Sequence, residues 1–197
     1  FNGALNYDEN GQLQREHFPG EDIWVGTPTP EMDALWDKLE AGSIILLDGE
    51  EADMVRDRTI MVDGYWVTGL DVFHQVHCLN QVRKALYPEY YPPTQSGRVN
   101  KLHWEHCLDY VRQAIMCNAD ISPVTSTWYE TAQTFGPNFR TLHTCKNLDA
   151  LLEWSLKRTT DARKGQGPGS ETAKDPGMVV DGERGGLATG GHEHGHA

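Results

Sequence analysis

Four segments of the chain carry apolar residues at the spacing of an α-helix, with polar residues between them. The first segment predicts a helix with Thr29 as its N-cap and Pro30 at its first position. Gly42 is predicted to end this helix. Its apolar stripe consists of Leu35, Trp36 and Leu39. The last segment, residues 147–158, predicts a short final helix.

The two longest periodic segments, about residues 71–86 and 100–117, lie in the middle of the chain. Their apolar residues recur every three or four positions, which predicts two amphipathic helices with one stripe each. In the first helix we expect a buried stripe, which consists of Phe73, Val76, Leu79, Val82 and Leu86. The stripe of the second helix consists of Trp104, Leu108, Val111 and Ile115. The residues between them are rich in proline and tyrosine and predict a loop.

Short strands are expected before the first of these two helices. Residues 43–47 are largely aliphatic and predict one strand. Residues 59–67 predict a hairpin, because apolar residues flank Asp63-Gly64, a pair that favours a two-residue turn. Farther along, Gly136-Pro137 predicts another turn within a mixed, aromatic segment.

Together these elements predict a mainly α fold with a small β-hairpin and short strands, an α+β arrangement. We expect one domain over residues 28–158. Residues 1–27 are polar and carry turn-forming pairs, so we expect an extended arm. Residues 159–197 contain half of the chain's twenty glycines and no aromatic residue, which predicts a disordered tail.

The chain is acidic, with a formal net charge of −12 and an isoelectric point near 5.1. This charge argues against a nucleic acid or an anionic membrane surface as partner. The longest aliphatic run, Ile44 to Leu47, is far too short to span a bilayer. Because the chain begins at Phe1 instead of methionine, we expect an N-terminal segment to be missing, and any signal or anchor with it.

One thirteen-residue segment occurs twice, once in each long helix. Residues 74–86 and 103–115 are identical at seven positions, including two histidines and a cysteine in the pattern HxxHC. Packing can explain repeated leucine, valine and alanine, but it has little use for two imidazoles and a thiol at fixed spacing. The repeat therefore predicts a metal site built from two similar helices.

The spacing places the candidate ligands on one side of each helix. Residues three apart are neighbours on a helix, with Cβ atoms roughly 5–6 Å apart. His74 can therefore act with His77, and His103 with His106, at the edge of a helix–helix seam. They would converge on one ion or on a closely spaced pair.

Imidazole ligands do not choose the metal by themselves. Copper, iron, nickel and zinc all accept histidine, and nitrogen with sulfur would also suit a structural zinc site. A lone histidine is usually an ordinary hydrogen-bonded residue, but the duplicated HxxHC pattern favours metal ligands.

The four cysteines allow two interpretations. As thiolates, Cys78 and Cys107 would favour copper(I) or zinc. As disulfides, Cys117 would pair with Cys145 and tie the last helix to the domain, and Cys78 would pair with Cys107. Four cysteines permit three pairings, and the sequence does not choose among them.

Further candidates lie outside the four-histidine set. His143 could supply another imidazole ligand or carry a proton. Tyr110, one turn after the second cysteine, could act near a redox metal as a radical or substrate-stacking residue, or it could cap the core with its hydroxyl. The tail histidines His192, His194 and His196 could bind metal adventitiously and are treated as non-catalytic.

These motifs resemble those of the UstYa-like oxidases of fungal biosynthetic clusters. The resemblance rests on the two HxxHC motifs, each followed by leucine, and on the loop rich in tyrosine and proline between them. It extends upstream to residues 31–36 and downstream through residues 116–120 and 143–149 to Trp154. It therefore covers most of the predicted domain.

The resemblance implies a copper-dependent oxidase that uses dioxygen on C–H or O–H bonds of a peptide or small molecule. The implied outcomes are oxidative cyclisation, hydroxylation, desaturation or halogenation. Relatives typically carry one N-terminal membrane anchor ahead of a domain in the lumen of the secretory pathway, where disulfides are favoured. The implied copper ligands are the four repeat histidines, with zinc or iron as alternative metals, and His143 and Tyr110 are the catalytic candidates.

Two other functions stay open from the sequence. Family members can act together, so the chain could be a non-catalytic subunit that binds substrate, a second copy of itself or a paired homologous oxidase. It could also be a structural zinc protein. We expect no nucleic acid partner, and contact with a membrane only through the missing anchor.

Overall fold

The structure, a computed structural model, describes residues 5–16, 18–56, 58–93, 97–139 and 141–163. The described helices are α1 Pro30–Glu40, α2 Asp71–Ala85, α3 Gly97–Asn118, α4 Leu148–Leu156 and α5 Thr160–Arg163, with a 3-10 turn at Gly49–Ala52. The described strands are β1 Leu5–Tyr7, β2 Leu13–Arg15, β3 Ile45–Leu47, β4 Met61–Val62, β5 Tyr65–Thr68, β6 Thr125–Tyr129 and β7 Thr134–Asn138. The predicted fold class, mainly α with small antiparallel sheets, is confirmed. The predicted tail lies outside the described residues from position 164 onward.

Helix α1 starts where its capping residues predict. The Thr29 hydroxyl accepts a 3.2 Å hydrogen bond from the Met32 amide, and Pro30 occupies the first turn, where its missing N–H leaves no helical bond unmade. The helix buries Met32 and Trp36, and the indole N–H of Trp36 donates to the Trp24 carbonyl at 2.9 Å. This bond ties the N-terminal part of the chain to the first helix.

A three-stranded antiparallel sheet of order β3–β5–β4 supports the core. Its hairpin turns at Asp63 and Gly64, whose φ angles of 51° and 83° are those that this residue pair predicts. Val62 pairs with Tyr65 across the turn. Strand β3 is buried along its whole length, and its Ile45 belongs to the hydrophobic core.

Helices α2 and α3 pack against each other more extensively than any other pair of described elements. They run antiparallel, because the ring of His74 lies 6.0 Å from that of His106 and the ring of His77 lies 5.9 Å from that of His103. Helix α1 also packs on α2. Helix α2 therefore forms the middle of a layered group that positions both repeats.

The apolar stripes of these two helices are less buried than their spacing predicts. In α3, Leu108 and Ile115 are 62% and 67% exposed, and in α2 only Phe73 of the stripe is fully buried. The reason is the rotation of both helices. The seam is centred on the buried thiols of Cys78 and Cys107, which turns the neighbouring leucine positions toward solvent. The prediction of a buried stripe along the first of these helices is therefore wrong at Leu79 and Leu86, which are 46% and 71% exposed.

Two strand pairs lie where other structure was expected. Residues 5–15 of the predicted arm form the β1–β2 hairpin, and the ring of Tyr7 packs edge-on against that of Tyr129 at 4.9 Å between centroids. The turn predicted at Gly136-Pro137 is wrong, because both residues lie within β7. Proline is tolerated there, since both strands of a two-stranded sheet are edges. The chain turns earlier, at Gln133, which has a φ of 49°.

Phe73 is the residue on which the packing of α2 is most simply tested. Its ring is 0% exposed, so Phe73→Ala should lower the free energy of unfolding by about 3 to 4 kcal/mol through lost burial and a cavity. Urea unfolding followed by circular dichroism measures this change. The matched control is Phe135→Ala, because that ring is 73% exposed and its removal should cost less than about 1 kcal/mol. Equal effects of the two changes would contradict the packing described here.

Candidate metal centre

The four histidines of the repeat form one cluster at the rim of the seam between α2 and α3. The rings of His74 and His77 stack at 6.0 Å between centroids on α2. Helix α3 places His106 6.0 Å from His74 and His103 5.9 Å from His77. The rings therefore lie at the corners of a quadrilateral with three measured sides near 6 Å. His77 is half-buried and the other three are exposed, so the cluster is open to solvent.

A local two-fold axis relates the repeats, because two similar segments with the same HxxHC motif lie on antiparallel helices. The first histidine of each helix faces the second histidine of the other. The equivalent cysteines, Cys78 and Cys107, meet near the axis, where both are fully buried and their thiols hydrogen-bond each other. The thiols thus lie at the centre of the seam and the imidazoles at its edge.

One set of donor atoms is close enough to hold a single ion. Atoms of His74, Cys78 and His106 all lie within 4.8 Å of one another, and Cys78 Sγ is 3.7 Å from Nε2 of His74. Ligands of one tetrahedral ion lie roughly 3.5 Å apart, given metal–ligand bonds of about 2.0–2.3 Å. Side-chain shifts of about 1 Å would therefore suffice, and the nitrogen and sulfur donors fit copper or zinc.

The other half of the cluster is tied to helix α1. The two-fold relates the first set to His103, Cys107 and His77. In the structure, Nδ1 of His77 lies 2.8 Å from Oε2 of Glu40, the last residue of α1. This contact gives His77 a partner outside the repeat.

Burial controls the protonation of the central groups. It raises the pKa of the Cys107 thiol to about 12 and raises that of Cys78 as well, so both thiols are protonated at pH 7 without a metal. Partial loss of hydration at the rim, with help from the neighbouring imidazoles, lowers the pKa of His103 even though its side chain is exposed. His103 is therefore a neutral donor at pH 7. A bound cation reverses the effect on a thiol, because a coordinated thiol loses its proton.

Tyr110 lies beside the first donor set, so the structure brings this sequence candidate to the cluster. Its ring is 4.7 Å from that of His74 and 5.6 Å from that of His106. Its hydroxyl donates a hydrogen bond to Asp71, which together with burial raises the pKa of Tyr110 to about 12. The phenol therefore keeps its proton at neutral pH.

His143 does not join the cluster in the structure. Its Nδ1 lies 2.7 Å from Oδ2 of Asp120, and its Nε2 lies 2.7 Å from the hydroxyl of Thr141. Asp120 follows the C-terminal end of α3, whose axis rises about 18 Å between His106 and Asn118. The tail histidines lie outside the described residues.

All four cysteines are free thiols in the structure. Cys78 and Cys107 face each other at the seam. Cys117 and Cys145 are both exposed. The proposed Cys117–Cys145 bridge stays a prediction.

The sequence analysis did not identify the buried polar groups on the side of α2 that faces α1. Asn80 and Arg83 of α2 are buried, although both residue types are usually exposed. They lie seven and ten positions after Phe73, which places them on the same helix face as that buried ring. This spacing is the sequence signal from which their burial could have been predicted. Both have partners in α1: Asn80 donates a hydrogen bond to Glu40, and Arg83 pairs with Asp33.

A cavity of about 440 Å³ lies between α2, α3 and the loop that joins them. Gln81, Tyr90 and Trp104 are among its lining residues. Trp104 directly follows His103, and Gln81 lies one helical turn after His77. The cavity therefore lies about one helical turn from this histidine pair, and neither histidine is among the residues that line it.

Comparison with known proteins identifies similar sequences over most of the chain. The family described as mycotoxin biosynthesis protein UstYa matches residues 2–158. No solved structure matches the chain significantly. In the described residues, no helix combines the length and the apolar composition needed to cross a bilayer.

The similar curated proteins are fungal and are named as oxidases. UstYa family oxidase phomYd of Diaporthe leptostromiformis is 33% identical over 77% of this chain and 54% of its own length. UstYa family oxidase aprY of Aspergillus flavus is 34% identical over 70% of this chain and 47% of its own length. Oxidase ustYa of Aspergillus flavus is 36% identical over 44% of this chain and 39% of its own length. The chain thus spans about half the length of the first two.

The burial of the thiols predicts two classes of reactivity. In the reduced, metal-free protein, Ellman's reagent should react rapidly with the exposed Cys117 and Cys145 and with the buried Cys78 and Cys107 only after unfolding in guanidinium. The double change Cys117→Ser and Cys145→Ser serves as control and should remove the rapid phase. Four rapidly reacting thiols in the folded protein would show that the seam is not closed.

Proposed function

The chain belongs to the UstYa family of mycotoxin biosynthesis proteins, and on this premise we propose that it is a copper-dependent oxidase. It acts with dioxygen on C–H or O–H bonds of a peptide or small molecule in a fungal natural-product pathway. The names of the relatives support the oxidase class. Because the chain spans about half of their length, the proposal rests on the site within this chain.

The observation that carries the proposal is the open set of donor atoms at the rim of the seam. His74, Cys78 and His106 gather within reach of one ion, and two more imidazoles stand beside them. Structural zinc sites are closed by four protein ligands, whereas catalytic sites keep an open position. The histidine-rich donor set suits copper, which when bound supplies one-electron redox chemistry with dioxygen.

The chain's own residues then have separate roles around the metal. The repeat histidines hold it between two helices, so α2 and α3 both have to be in place. Tyr110 presents its ring beside His74 and His106, while its hydroxyl proton is held by Asp71. Cys78 would add its thiolate to the donor set, and Cys107 lies buried beside it in the seam.

The cavity between α2, α3 and their connecting loop is the proposed substrate site. Aromatic rings of Tyr90 and Trp104 line it, and such rings bind apolar or aromatic groups of a small molecule or peptide side chain. It lies about one helical turn from His77 and His103, so a bound substrate would lie beside the half of the cluster that these two histidines form.

A second candidate function is a zinc-binding partner module without catalysis of its own. The buried thiols favour it, because thiolate ligands suit zinc and structural sites. Such a chain would support a second copy of itself or a homologous oxidase. For either function we propose the lumen of the secretory pathway, with an anchor in the longer protein, as the family resemblance implies.

Metal content is the measurement that separates the two candidates. The protein is purified without a metal column and with residues 192–197 deleted, so that the tail histidines cannot contribute, and copper, zinc and iron are quantified together. We expect about one or two copper ions per chain. His74→Ala and His103→Ala should each lose most of this copper and keep the helical circular dichroism spectrum.

His143→Ala is the matched control, because it removes a histidine that lies away from the cluster, and it should keep the wild-type copper content. Zinc alone, not displaced by copper with ascorbate, would reject the oxidase and favour the partner module. Full copper content in both cluster variants would show that the ligands are assigned wrongly.

A further inference from the structure

We propose that Glu40 is a positioning residue of the metal centre: it fixes the tautomer of His77 so that Nε2 of that ring is free to bind a metal. The metal part of this inference rests on the proposed function, whereas the tautomer is a property of the metal-free protein. Glu40 lies outside the repeat, 37 residues before His77.

Both oxygens of the Glu40 carboxylate contact α2. Oε2 lies 2.8 Å from Nδ1 of His77, and Oε1 accepts a hydrogen bond from Nδ2 of Asn80. His77 and Asn80 are three residues apart and therefore neighbours on the helix. The carboxylate is only 21% exposed, so water competes less for it than at a surface ion pair. The side chain is thus held at two points.

The carboxylate dictates which nitrogen of His77 carries the proton. An ionised carboxylate only accepts hydrogen bonds, so Nδ1 has to carry a proton to bond it. In the neutral imidazole, Nε2 then keeps its lone pair. Metal-binding histidines commonly donate their second N–H to a carboxylate, which fixes the ring and raises its basicity. Glu40 therefore prepares His77 before any metal is bound.

A buried arginine fixes the direction of the hydrogen bonds behind Glu40. Nε of Arg83 donates to Oδ1 of Asn80 at 2.7 Å, so the amide group of Asn80 has only Nδ2 to turn toward Glu40. Arg83 is 5% exposed and pairs with Asp33 at 2.7 Å. Arg83 therefore donates to Asn80, and Asn80 in turn donates to Glu40. The Glu40 carboxylate accepts hydrogen bonds from both Asn80 and His77.

The local two-fold of the repeats does not extend to this network. The counterpart of Asn80 is Asp109, which is exposed and pairs with Arg112 of its own helix at 2.7 Å. The counterpart of His77 is His106, which lies at the open rim beside Tyr110 instead. Glu40 therefore makes one histidine of the repeat different from its counterpart.

The isosteric change Glu40→Gln tests the proposal with almost no change of shape. Because Asn80 can only donate here, the new amide should turn its oxygen to Asn80 and its NH₂ group to His77. Nδ1 of His77 then has to accept, which moves the proton to Nε2 and blocks the atom that binds metal. We expect ¹⁵N NMR of the metal-free protein to show this change of tautomer, and copper affinity to fall by about tenfold to a hundredfold.

Adding Asn80→Asp to Glu40→Gln should restore the wild-type tautomer. The new carboxylate can accept from both Arg83 and the NH₂ group of the new amide, so the amide oxygen turns back toward His77. The double variant also keeps the wild-type net charge. We expect its His77 to carry the proton on Nδ1 again and its copper affinity to recover most of the loss. A role of Glu40 in folding alone would not produce this reversal.

Glu31→Gln, at an exposed position of the same helix, is the matched control and should change neither tautomer nor affinity. A wild-type His77 protonated on Nε2 would overturn the proposal however the variants fold. So would a Glu40→Gln protein that melts like the wild type and keeps both tautomer and affinity, or a folded double variant that fails to reverse the change. A wild type that binds no copper would reject the proposed function, while the tautomers would still decide the role of Glu40.

Discussion

A guanidinium group buried between helices has to be paired, and Arg83 meets this requirement through Asp33 of α1. The hydroxyl of Tyr91 donates to the same carboxylate at 2.6 Å. Burial raises the pKa of Asp33, but the hydrogen bonds from Tyr91 and Arg83 outweigh it, so that pKa lies below its usual value. The pair remains charged at neutral pH and fixes the rotation of α2 about its axis. On a helix with 3.6 residues per turn, Cys78 then falls on the side away from α1, where α3 packs.

His77 lies between these two sides of α2, which explains its double set of contacts. Toward α1 it meets Glu40, and toward α3 it meets His103. His74 lies farther toward α3 and contacts His106 and Tyr110 instead. The antiparallel arrangement makes each donor set draw on both helices, so any ion bound there links them. The distances between the metal ligands therefore depend directly on how α2 and α3 pack against each other.

Local signals in the sequence predicted those parts of the fold that depend on neighbouring residues. Thr29 and Pro30 located the start of α1, and Asp63-Gly64 located the hairpin turn, because caps and tight turns are determined within a few residues. The HxxHC repeat likewise predicted which side chains share a helix face. Helix rotation is different, since it depends on partners distant in sequence. The apolar periodicity of α3 gave no sign that Ile115 would face solvent.

Hydrogen bonds between distant helices were also beyond the sequence pattern. Glu40 is one acidic residue among many on an acidic chain, and nothing near it in sequence marks it as a partner of a histidine 37 residues away. The same holds for the strand around Gly136-Pro137, whose composition is typical of a turn. In that strand the ring of Tyr129 packs over Gly136, so closely that a Cβ atom at this position would come within 2.8 Å of the ring. This contact between the two strands outweighs the local preference of glycine and proline for a turn.

The two-fold relation of the repeats has a consequence for how such a domain can arise. One thirteen-residue unit, paired antiparallel with a copy of itself, already contains every ligand type of the centre, so duplication of a short coding segment is sufficient to generate it. After duplication, the copy that contacts α1 is constrained at Asn80 by its hydrogen bond to Glu40, whereas the other copy is free to diverge at that position. The exposed Asp109, at the position equivalent to the buried Asn80, fits the less constrained copy.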